Sequence, residues 1–179
     1  MSVDPIALAE EHWIDHGWPA AAPGMRLVTA LTRVQQLLHQ RIDEVLRPDL
    51  TFARYEILML LVFSRRGALP MSVIGSRLQV HAASVTSAVD RLERDGYVIR
   101  ERGEEDRRRG LASVTARGRR RALAATQALN EEVFGDVGLD SAALRRTSAD
   151  LDPMRAHHGD AQQHKAGRPD KGRREIAGP

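Results

Sequence analysis

The chain has 179 residues, enough for one ordinary domain with tails, and its formal net charge is +3. It contains no cysteine, which excludes disulfides, thiolate metal ligands and any thiol nucleophile or redox sensor. Its residues are 42% hydrophobic but only 4% aromatic, so Leu, Val, Ile and Ala must fill the core, a bias that favours helices.

Residues 1–24 hold four acids and neither Lys nor Arg; "EEHWIDHGW" predicts a short helix and "PAAAPG" a linker. From Met25 to Leu46, apolar residues recur at Leu27, Val28, Leu31, Val34, Leu37, Leu38, Ile42 and Val45, the spacing of a helix that Pro48 ends. Thr51 is placed to cap the next helix, whose "YEILMLLVF" is apolar on nearly all sides and is expected at the centre. "RRGALPM" breaks the pattern. Ser72 is then expected to cap a short helix ending near Leu78, and a further helix is predicted from Ala82 to Asp95, with Gly96 stopping it.

Beyond Gly96, "YVIRERG" and "RGLASVT" predict two short strands around a charged tip. Thr115 caps a long helix through Phe134, Gly138 breaks it, and "LDSAALRRTSADL" forms a last amphipathic helix. From Pro153 onward Gly, Pro, His, Gln, Lys and Arg dominate, and a disordered tail is expected. No run of 18 apolar residues and no signal-peptide pattern occurs, so a cytoplasmic protein that does not span a membrane is expected.

Charge is segregated. Residues 1–152 carry 21 residues of each sign, yet Arg91 to Arg121 hold eleven arginines against six acids. A positive stripe on a neutral body suits a localised phosphate-binding surface. Within "MSVIGSRLQVHAASVTSAVDRLERDGYV", Val73, Ile74 and Leu78 form one apolar face, and Val85, Val89 and Leu92 another. Docking these faces leaves Ala83, Ser84, Thr86, Ser87, Asp90 and Arg91 outward. Small hydroxyl residues suit a major groove, because they keep the backbone close, bond phosphates or base edges, and offer methyls to thymine. A helix-turn-helix followed by a hairpin would carry Arg107, Arg108 and Arg109 along the backbone into the minor groove, where guanidinium fits the narrow negative slot. Asp106, two residues before Arg108, would hold that guanidinium in orientation.

The stretch "RLERDGYVIRERGEEDRRRGLASVTARGR" resembles the wing signature of the MarR transcriptional regulators, a D-R-R tip, a strand, then Thr and Gly. "LTFARYEILMLL" and "LQVHAASVTSAVDRLERDG" are similar to that family's second helix and recognition helix, and the likeness covers residues 25–140. The resemblance implies a mainly α (α+β) winged helix-turn-helix fold, a homodimer joined through N- and C-terminal dimerisation helices, and double-stranded DNA as partner at a pseudo-palindromic operator. It implies Arg108 in the minor groove, Asp106 as its orienting partner, and Ser84, Thr86 and Ser87 in the major groove. The resulting division is an arm over 1–24, a dimerisation helix over 25–50, the winged helix-turn-helix over 51–116, C-terminal dimerisation helices over 117–152, and the tail over 153–179. Two features depart from the pattern: it fades after Leu151, where the family's long final helix would complete the dimer, and the N-terminal segment extends beyond it, a candidate cover for the dimer crevice where many members bind a small anionic or aromatic effector.

Trp13 and Trp18 admit two readings: anchors of the arm on a partner subunit, or the cap of an effector pocket with Arg26 or Arg33 pairing an anion. His12 and His16 share an acidic helix and are expected at the surface, with no metal bound and no cofactor. No glycine-rich phosphate loop or G-x-S-x-G occurs, so no enzyme is expected. A ligand-responsive repressor is the reading that results; the alternative is a helical dimeric interaction module whose hairpin meets an acidic protein.

Overall fold

A computed structural model of the chain describes residues 3–101 and 110–160, and contacts divide the chain into two units, Met1–Val137 and Gly138–Pro179. The first unit opens with α1 (Pro5–Asp15), capped by Asp4, whose carboxylate accepts from the Ile6 N–H at 3.0 Å. Helix α2 (Ala22–Leu46) begins three residues before the predicted Met25. Pro23 sits in its first turn, where a missing N–H forfeits no intrahelical bond, so the proline-rich stretch starts the helix and the linker shrinks.

Helix α3 (Phe52–Phe63) is capped by Thr51 as expected, and buries Tyr55, Ile57, Leu58, Met59 and Leu61. Strand β1 (Ala68–Pro70) was not predicted: three residues are too few to show alternation, and only pairing defines them. Helix α4 (Met71–Leu78) follows directly. Ser72 is not its cap but lies inside its first turn; Pro70 precedes it, and the Met71 N–H is satisfied by the Gly110 carbonyl at 2.9 Å. The helix thus starts one residue before the expected cap, at a Met71 whose N–H is taken by the neighbouring strand segment.

Helix α5 (Ala82–Arg94) buries the predicted Val85, Val89 and Leu92 and stops before Gly96, which adopts φ +72°. Strands β2 (Val98–Glu101) and β3 (Leu111–Val114) pair antiparallel with Val98 opposite Val114, and β1 adds to the far side of β3, giving the order β1-β3-β2. Helix α6 (Ala116–Leu129), capped by Thr115, continues as a π-helical turn through Phe134.

One core joins these elements. Leu46, Ile57, Leu58, Leu61, Ile74, Val85, Val89, Leu92, Val98, Leu129 and Val133 are fully buried. Each such side chain contributes about 1.5 to 3 kcal/mol relative to exposure, so α5 is fixed by the same apolar contacts that hold α2, α3 and α6. In the second unit α7 (Ser141–His157) starts at Asp140, whose side chain accepts from Ala142 and Ala143, and it buries no residue. The tail expected from Pro153 is corrected here: Pro153–His157 are helical. Residues 161–179 lie outside the described residues.

Gly118 sets the start of α6. A Cβ there would stand 2.0 Å from the Tyr97 carbonyl oxygen, backbone that cannot move aside without displacing β2. Gly118→Ala is expected to destabilise the fold by about 3 kcal/mol or more, an overpacking cost at the upper end for one methyl. Urea unfolding checks this; a shift under about 1 kcal/mol would mean that α6 can slide.

Candidate nucleic-acid interface

Helices α4 and α5 form the tight pair that the pattern predicts. Gln79 ends α4 in the left-handed region (φ 56°), and the Val80 N–H returns to the Gly75 carbonyl at 3.1 Å. A Cβ on Gly75 would meet the Val80 carbonyl and a Val85 methyl, each at 3.4 Å, so glycine here permits the close crossing.

Along the outward side of α5 runs an open trough of about 690 Å³. Ala83, Ser84, Ser87 and Arg91, all proposed from sequence, line it. Thr86 does not: it is half-buried, and its hydroxyl donates to the Ala82 carbonyl at 3.0 Å. The opposite wall holds Thr51 and Arg54 of the α3 start, with Ala88 and Arg94 completing the trough. Sequence reasoning missed Arg54 and Arg94. Thr51 was legible only as a cap, and nothing local brings the start of α3 beside α5.

Asp90, predicted to face outward, does so and also accepts from Arg100 of β2 (Nη1 to Oδ1, 2.9 Å), while the Arg100 backbone N–H donates to Glu93 at 3.1 Å. These bonds fix β2 against α5. Asp106, Arg107, Arg108 and Arg109 lie outside the described residues.

Behind the trough, Arg121 grips Asp49 with two bonds (Nε to Oδ2, 2.9 Å; Nη2 to Oδ1, 2.8 Å) and also donates to the Leu46 carbonyl. The Tyr97 hydroxyl donates to the same carboxylate, and Arg117 lies 5.2 Å over the Tyr97 ring. Arg121 above all holds the Asp49 carboxyl down, from an ordinary 3.8 to about 2. Tyr97 is pushed up, first by burial and then by Asp49.

In the arm, Trp13 and Trp18 meet edge to face at 5.5 Å and remain 36% and 54% exposed. Arg26 pairs with Glu10 at 2.5 Å, and Arg33 is exposed two turns further along α2. The two tryptophans are thus together, whereas Arg26 is already engaged. His12 and His16 are exposed, and among the described residues no group of three or more potential ligands gathers for a metal. No helix among them is long and apolar enough to cross a membrane.

Three small helices, a three-stranded sheet and flanking helices make this a winged helix-turn-helix. A family model described as the MarR family matches residues 49–109. Sco5413, a MarR family transcriptional regulator from Streptomyces coelicolor, is 44% identical, with a TM-score of 0.70 over 77% of this chain and 96% of that one. Sco3205 from the same organism, a MarR family regulator solved in complex with DNA, is 25% identical, with a TM-score of 0.62 over 76% and 88% of the two chains. The HTH-type transcriptional regulator YkoM of Bacillus subtilis is 36% identical over 63 residues, 35% of this chain and 41% of its own length, so less than half of that relative is spanned. The chain belongs to the MarR family of transcriptional regulators. Membership places it among regulators rather than enzymes.

The Asp49 pairing predicts a pH dependence. A carboxyl lower in the folded than in the unfolded chain stabilises the fold fully above its unfolded value, near 4, and this contribution is lost as pH falls through about 2. Asp49→Asn should therefore lower stability at pH 7, by on the order of 1 kcal/mol once solvent screening of this partly exposed pair is allowed for, and should flatten the acid limb. Urea midpoints at pH 7 and pH 3 test it; parallel losses at both would refute the electrostatic account.

Proposed function

We propose that two copies of this chain bind a pseudo-palindromic DNA duplex, each placing α5 in a major groove, and that they repress transcription until a small anionic or aromatic effector releases them. The observation that carries the reading is the trough on α5: Ser84 and Ser87 stand beside Arg91 over a solvent-open concavity, hydroxyls for base edges or phosphates beside a cation for the backbone. Sco3205, with the same fold, was solved with DNA, which supports DNA as the partner.

Dimerisation is supported by apolar side chains that a single copy leaves in water. Leu27, Val28, Val34 and Leu37 of α2 and Leu123 of α6 are 46% to 59% exposed, and helices with such stripes are covered in functional assemblies. The effector reading draws on the family resemblance and on Trp13 and Trp18, whose exposed rings offer stacking area; since Glu10 holds Arg26, Arg33 is the more available cation. Arg108, by the wing motif, would reach the minor groove.

Selection of bound fragments from random-sequence duplexes at physiological salt tests the reading. An enriched palindrome with half-sites about 34 Å apart is expected; a folded protein that enriches no sequence would overturn it. On the selected duplex Arg108→Ala should weaken binding by about 1 to 3 kcal/mol, and full retained affinity would remove the minor-groove role. Light scattering should give twice the chain mass, and Val28→Glu should halve it; an unchanged mass would move the interface elsewhere.

A further inference from the structure

Arg54 is held in an unusual way for a residue at the lip of an open trough. Its Nε donates to the Thr51 hydroxyl at 3.3 Å and its Nη1 to Asp95 Oδ2 at 3.3 Å, and the side chain is only 14% exposed. Two edges of the guanidinium are therefore fixed from opposite sides, by the cap of α3 and by the end of α5. Nη2 has no acceptor among the described residues, and Arg54 lines the trough. Across from it, Arg91 and Arg94 are exposed and make no ion pair among the described residues; Arg94 is steadied by a bond from Nε to the Asp90 carbonyl at 3.3 Å. Three arginines thus line one concavity, and among the described residues only Arg54 of the three is in an ion pair, with Asp95.

We infer that Arg54 and Arg94, set on opposite walls of the trough, form a phosphate-holding backbone clamp separate from the base-reading turns of α5 that carry Ser84 and Ser87. The inference rests on the DNA reading above and divides that site by chemistry. A phosphodiester oxygen is the ligand that fits: it accepts from a guanidinium whose other donors are fixed, with little entropy lost on binding, because the protein has already ordered the group. A base edge does not fit so well, since Arg54 lies across the trough from the residues on the early turns of α5. Thr51 serves as a positioning residue that acts through Arg54.

The test uses the full chain and the duplex selected as above, titrated from low to physiological salt, beside an unrelated duplex of equal length. Arg54→Met and Arg94→Met should each weaken binding about 5- to 10-fold on both duplexes alike and should each reduce the slope of log affinity against log salt by about 1, as losing one phosphate contact requires. Ser84→Ala with Ser87→Ala should instead narrow the gap between the two duplexes and leave the slope unchanged. A merely structural role for Arg54 would not move the slope, so Arg54→Met at the wild-type slope overturns its part in the clamp. If Arg54→Met does not fold, Arg94→Met, which removes no ion pair, decides alone: a reduced slope supports the clamp and an unchanged one overturns it. A loss confined to the selected duplex also overturns it, because the arginines would then be reading bases. Failure of the wild-type chain to prefer any sequence defeats the DNA reading itself, and is told apart by the absence of a selected duplex.

Discussion

Thr115 stands where the reading unit meets its helical support. Its hydroxyl donates to the Gly96 carbonyl at 2.8 Å and accepts the Gly118 N–H at 2.9 Å, while its own N–H donates to the Tyr97 carbonyl at 3.0 Å. One side chain therefore ties the turn after α5, the start of β2, the end of β3 and the first turn of α6. The close approach of Gly118 to Tyr97 follows from these bonds, and the Tyr97 ring then carries its hydroxyl to Asp49. From Asp49 the bonds of Arg121 reach the end of α2. Any shift of α6 against α5 must break this sequence of bonds, so the helices expected to pair two copies and the helix expected to meet DNA are coupled by contacts between named atoms. Such coupling is what the proposed effector control would need, since a ligand acts on DNA binding only through elements whose arrangement both sites share.

Much of this was legible in the chain itself. Val85, Val89 and Leu92 read as one face because helical spacing permits no other arrangement, and all three are buried. Thr51 and Thr115 read as caps because a hydroxyl just before a helical stretch has a local purpose. The errors have local causes too. Ser72 satisfied the rule for a cap, but the helix begins one residue earlier, at Met71, whose N–H bonds the Gly110 carbonyl. Pro23 reads as part of a linker and Pro153 as the start of a disordered tail, yet one sits in a first turn and the other within α7. β1 carries no pattern of its own and exists only because β3 offers it a partner.

The candidate site divides in the same manner. Ser84, Ser87 and Arg91 were legible because one helix face presents them, whereas Thr86 turns its hydroxyl back on its own helix. Arg54 and Arg94 were not, since their role depends on α3 and α5 meeting in space. Asp90 is outward as read, but its bond to Arg100, a partner ten residues away across a turn, was not legible. The neutral total of residues 1–152 hides a local excess of cations in the trough; net charge was a poor guide and placement a good one.

The central claim is that α5 lies in the major groove with Ser87 toward the duplex. Because the chain has no cysteine, Ser87→Cys gives a single thiol to which an iron chelate can be attached for directed cleavage of the selected duplex. Cleavage centred on the major groove of each half-site, in two clusters about one helical turn apart, is the predicted result. Uniform cleavage, or cleavage centred on the minor groove, would contradict it.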